Sequence, residues 1–104
     1  MSKQSKKRKL AVFIGLRTAH QILLDKTKKP DSVPHLMHEV DLYSDLIFSL
    51  TKGNWNKDDV TDIQNRAKKR CINKLNTYPD LKVSVDQEIE QTIHSIMIDI
   101  GLIK

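Results

Sequence analysis

A single all-α domain, an antiparallel up-down four-helix bundle, is the fold class that this sequence predicts. Three observations predict it. Apolar residues recur at helical spacing in separate stretches, and no run alternates with the period of a strand. Only three Gly and three Pro are present, so long stretches are free of breakers. The connections are short, roughly five residues each, which makes consecutive helices antiparallel neighbours. A chain of 104 residues suffices for one core and not for two.

The first helix is expected over about residues 9–29. Lys26, Lys28 and Lys29 sit where cations favour the C-terminal dipole, and Pro30 stops it. The second is expected over about 33–52. Asp31 or Ser32 caps it, Pro34 is tolerated in its first turn, and Gly53 ends it. Its stripe is Val33, Leu36, Met37, Val40, Tyr43, Ile47 and Leu50.

The third helix is expected over about 57–78, with Asp58 and Asp59 in its first turn and Pro79 beyond it. Its stripe is Val60, Ile63, Ala67, Cys71, Leu75 and Tyr78. The fourth is expected over about 85–102, opened by a capping box from Ser84 to Gln87. Its stripe is Val85, Ile89, Ile93, Ile96, Ile100 and Ile103. Residues 1–8 read as a flexible basic tail and 9–104 as the domain. The competing arrangement is a three-helix core with the first helix detached.

Composition excludes several classes. One cysteine, Cys71, permits neither an intramolecular disulfide nor a zinc site built on cysteines. The basic start followed by Leu10–Leu16 imitates a signal peptide, but the apolar run is short and meets Arg17. No apolar run is long enough to span a bilayer. The expectation is a cytoplasmic protein with no membrane role. Phosphate loops, nucleophile elbows and paired acidic motifs are absent, so the chain reads as non-enzymatic and without a cofactor.

The net charge of +5 is unevenly distributed. Residues 1–29 carry nine basic and one acidic residue, and residues 30–50 carry four acidic and no Lys or Arg. Residues 51–82 carry eight basic and four acidic, and residues 83–104 four acidic and one basic. In a bundle, such alternation would set basic helices beside acidic ones.

The segment NRAKKRCINK, residues 65–74, concentrates five cations. Arg66, Lys69, Arg70 and Asn73 share one arc, with Lys74 on the flank of the core and Lys68 on the other flank. Gln64, Asn65 and Asn76 add amides able to read base edges. The tail cations Lys6, Lys7, Arg8 and Lys9 would add phosphate contacts. Against this stand the helix pairs Asp62–Arg66 and Asp59 with Arg70, which would make the face an ordinary solvated one. Trp55, in the turn TKGNWN, either caps the core or stacks on a base. That turn is longer than the turn of a helix-turn-helix motif.

Arg17 and His20 interrupt the apolar arc of the first helix. Glu39, Asp41 or Asp45 would partner the arginine, in a structural pair or in a small ligand or enzymatic site. His35, His38 and Glu39 share a face, but this is not the His-Glu-x-x-His zinc signature, so no metal is expected. Leu42, Leu46, Ile98 and Leu102 fall off the main stripes, as does Ile72. The first four would serve a homodimer or protein–protein interface. The leading expectation is a small accessory or regulatory protein that contacts DNA or RNA through Arg66, Lys69, Arg70, Lys74 and the basic tail. Its rival is a helical protein–protein interaction module.

Overall fold

Four helices and no strand make up the described residues of the computed structural model, which are 2–26, 31, 33–52, 55–77 and 86–103. They are α1 (Lys3–Lys26), α2 (Val33–Leu50), α3 (Lys57–Leu75) and α4 (Asp86–Asp99). The all-α expectation holds. The signals placed on Lys28, Lys29, Pro30, Ser32, Gly53, Tyr78, Pro79, Ser84 and Val85 lie outside the described residues.

α1 begins six residues earlier than the sequence pattern indicates. Ser2 is the reason: its Oγ accepts from the Ser5 amide at 3.2 Å and its carbonyl from the Lys6 amide at 3.0 Å. That is the N-cap arrangement, which satisfies amides that an open helix end leaves unpaired. The basic segment read as a tail therefore forms the first turns of α1. Lys3 reaches Asp59 at 2.8 Å, and Lys7 reaches Asp62 at 3.1 Å and Asp59 at 3.7 Å. These pairs relieve the mutual repulsion of the lysines and hold the extension against α3.

α1 is the centre of the molecule. It packs on each of the other three helices, and α3 also packs on α4. The α2 backbone approaches α1 alone. Consecutive helices α2 and α3 thus do not neighbour each other, and the helix that stands apart is the second. The centrality of α1 explains why no single stripe describes it. Leu10, Ala11, Ile14, Gly15, Thr18, Ala19, His20, Ile22 and Leu23 are buried around much of its circumference.

The α1–α3 contact is close. A Cβ placed on Gly15 would stand 2.6 Å from the Ala67 carbonyl oxygen and 2.9 Å from the Arg70 Cβ. Only glycine fits there without moving backbone. Ala11 and Ala19 above and below it, with Ala67 and Cys71 opposite, are the small buried side chains that this approach needs. Pairing of Lys3 and Lys7 with Asp59 and Asp62, and of Gly15 with Ala67, shows the two helices running in the same sense.

α3 is started by Asn56. Its side chain accepts from the Asp59 amide at 2.8 Å, and Asp59 reaches back to the Asn56 amide at 3.3 Å. This capping box uses Asn and Asp where the motif usually has Ser or Thr and Glu or Gln. α4 is ended by Gly101, whose φ of 81° suits a residue without a Cβ. The Gly101 amide bonds the Ile98 carbonyl at 3.0 Å, and the Leu102 amide bonds the Met97 carbonyl at 2.9 Å. That is a Schellman motif.

The turn at Gly101 corrects the reading of Leu102. A helix continued to 102 would aim it outward. The left-handed turn sends it back to pack against the core, as Ile72 also does from α3. Two other positions depart from the stripes. Met37 is 51% exposed, whereas Met97, absent from the predicted stripe, is fully buried. Ile14, Ile47, Ile63, Ile89 and Met97 make up much of the interior.

Candidate nucleic-acid interface

The outer face of α3 carries Asn65, Arg66, Lys69, Arg70 and Asn73, and Asn76 caps its end, all exposed. No acidic residue occurs from Ile63 to Thr77. The residues that point inward, Ile63, Ala67, Cys71 and Leu75, are buried at 3.6-residue spacing, which fixes the opposite face to solvent. Burial pushes the Cys71 thiol up to about 12, so it is an inert core group.

The structure sorts the predicted cations into two groups. Several are committed to partners within the molecule. Lys7 is 9% exposed and bound to Asp59 and Asp62. Arg66 holds Asp62 through Nε at 3.0 Å. Lys68 meets Glu90 at 2.6 Å and Lys26 meets Glu88 at 3.0 Å, joining α3 and α1 to α4. Lys74 is half-buried. Among the described residues Arg8, Lys9, Lys69 and Arg70 are exposed and close no ion pair, and Lys6 is half-exposed and likewise unpaired. Arg8 lies two turns before Gly15 on the same line of α1, so it borders the seam with α3.

The acidic partners were only partly legible. The Asp62–Arg66 pair forms as the spacing predicts. Asp59 instead turns to Lys3 and Lys7. The hydrogen bond from Lys3, opposed by partial burial and aided by the Asn56 amide, holds the Asp59 carboxyl below its ordinary range. Hydrogen bonds from Lys7 and then Arg66 do the same for Asp62.

The amides split. Gln64 and Asn65 line a groove of about 400 Å³ between α3 and α4, with Lys68, Glu90 and His94. Gln64 is half-buried there, whereas Asn65 is exposed and also borders the face of Arg66 and Lys69. Trp55 packs against the core, and its Nε1 donates to the Thr51 carbonyl at 3.0 Å. Lys3 Nζ stands 6.0 Å from the ring centroid. Both observations favour the core-capping role over base stacking.

Arg17 and His20 meet α2 at different points. Arg17 Nε donates to Ser44 Oγ at 2.8 Å, and Ser44 in turn donates to the Val40 carbonyl. Burial pulls the guanidinium pKa down, while Asp99 and then Asp41 act in the opposite direction. His20 is buried, with Nδ1 2.7 Å from the Leu16 carbonyl and its ring 5.5 Å from that of Tyr43. A carbonyl only accepts, so Nδ1 carries the proton. Arg17 lines a polar groove against α4 that His20 does not reach.

Of the proposed interface residues, Leu42 is 43% and Ile98 44% exposed, Leu46 is half-buried, and Leu102 packs against the core. They sit on α2 and on α4 or just beyond its end, and the two helices do not approach each other. His35 and His38 are exposed. Among the described residues no group of three His, Cys, Asp or Glu side chains is placed to hold a metal. None of the described helices is long and apolar enough to cross a membrane. Phe48, 69% exposed, is the most exposed large apolar residue among the described residues, and no sequence pattern singled it out.

No protein-family model, curated protein or solved structure matches this chain.

Proposed function

We propose that this protein is a small non-enzymatic accessory or regulatory factor that contacts the phosphate backbone of nucleic acid through the outer face of α3 and the adjoining start of α1. One observation carries the reading: Arg8, Lys9, Lys69 and Arg70 remain exposed and unpaired while neighbouring lysines are consumed by internal ion pairs. Arg66 adds to this face the guanidinium nitrogens that Asp62 leaves unbound. Asn65 and Asn73 add neutral donors and acceptors. A helical N-terminus, in place of a loose arm, presents Arg8 and Lys9 in a fixed relation to α3.

The proposal includes a finer arrangement. Lys26–Glu88 and Lys68–Glu90 support α4 running against both α1 and α3, and the closeness of Trp55 to Lys3 supports α2 running against α1. The chain directions then alternate around a central α1. A reducing, cytoplasmic setting belongs to the same proposal and rests on the lone buried thiol.

The double variant Lys69→Glu/Arg70→Glu tests it. Both side chains are exposed, so the variant should keep its thermal unfolding temperature and lose binding to duplex DNA and RNA oligonucleotides at least about tenfold. Undiminished binding in a folded variant would remove α3 from the interface.

A further inference from the structure

The acidic charges of α2 take no part in the ion pairs that join the other helices. Among the described residues Glu39, Asp41 and Asp45 close no ion pair, and residues 30–50 contain no Lys or Arg. The α2 backbone also approaches α1 alone. One flank is defined by the bond from Arg17 to Ser44. Met37, Asp41, Ser44 and Phe48 are spaced four, three and four residues apart, which places them on one line of the helix. Met37 and Phe48, 51% and 69% exposed, mark its two ends, about 16 Å apart along the axis.

On the other side of Arg17 stands α4, whose Asp99 and Ser95 line with Arg17 and Gln21 of α1 a groove of about 370 Å³. Arg17 feels both Asp99 and Asp41 without closing an ion pair to either. Arg17 thus lies between this line of α2, with its exposed apolar ends, and the Asp99 carboxylate of α4. We propose that this surface, from the exposed line of α2 across Arg17 to Asp99 of α4, docks a basic amphipathic helix of a partner protein. Apolar side chains about three turns apart would cover Met37 and Phe48, and Lys or Arg between them would meet Asp41 and Asp99.

The same charges argue against other occupants. A second copy docking α2 to α2 would oppose Asp41 and Asp45 to their own kind. The basic face of α3 could neutralise those carboxylates, but it has no exposed large apolar residue to cover Phe48. An anionic membrane surface would be repelled.

The inference is independent of the nucleic-acid reading. Its test uses the full chain and a dye-labelled Leu/Lys peptide of about four helical turns, with a Leu/Glu peptide of the same pattern as control. The Leu/Lys peptide should bind saturably, one per chain, and the Leu/Glu peptide should not. Phe48→Ser and Met37→Ser should each weaken binding about tenfold, and Asp41→Asn with Asp99→Asn should reduce its salt dependence. Lys69→Glu/Arg70→Glu should leave it unchanged. Absence of saturable binding would overturn the proposal, as would binding indifferent to Phe48 and Met37. So would a native dimer that Phe48→Ser converts to monomer, because the face would then be covered by a second copy.

Discussion

Gly15 shows how a single residue sets the spacing of two helices. In an exposed helix, replacing glycine with alanine gains about 1 kcal/mol. Here the added methyl would meet the Ala67 carbonyl oxygen at 2.6 Å. Backbone cannot rotate out of the way, so overpacking wins. Gly15→Ala should lose about 1–3 kcal/mol in equilibrium denaturation, and a gain would mean that α1 and α3 are farther apart. Asp59 and Asp62 make a second residue-scale prediction. Their carboxyls are held below the ordinary value of 3.8, so their contribution to stability is complete above that pH and lost as pH falls through the lower folded values. The unfolding temperature should therefore drop below about pH 4, and less steeply in Asp59→Asn/Asp62→Asn. An identical acid profile in that variant would detach these residues from the α1–α3 clamp.

Helix ends were the least legible elements, for identifiable reasons. Apolar periodicity locates the middle of a helix, but α1 gains its first turns from Ser2 and from lysines that no hydrophobic pattern marks. The start of α3 is the exception: residue 57 is its expected and its observed first residue, with the capping box of Asn56 and Asp59 fixing it. Gly101 falls inside the expected fourth helix, but its positive φ ends α4 there and turns Leu102 inward. Asn56→Ala should cost about 1 kcal/mol, read as a lower denaturation midpoint, because the Asp59 amide loses its acceptor. An unchanged midpoint would mean that the ion pairs of Asp59 alone hold the start of α3.

At the scale of the whole molecule, the all-helical class and the inward face of α3 were readable from the sequence. The hub position of α1 was not. Stripe spacing says which residues are buried, not how many neighbours a helix has, and α1 buries so much of its circumference that its stripe dissolves. Charge alternation predicted basic beside acidic helices, and the ion pairs of α1 and α3 with α4 follow that logic, whereas α1 and α3, both in net-basic segments, pair through Asp59 and Asp62 in the first turns of α3. Acidic α2 is the exception, and the unpaired cations near α3 are its counterpart. We propose that those cations meet phosphate. The most direct measurement is the salt dependence of binding to a duplex DNA oligonucleotide. If Arg8, Lys9, Lys69 and Arg70 each neutralise one phosphate, log K should fall against log salt with a slope of roughly −3 to −4. A slope near zero, or no binding at low salt, would contradict the claim.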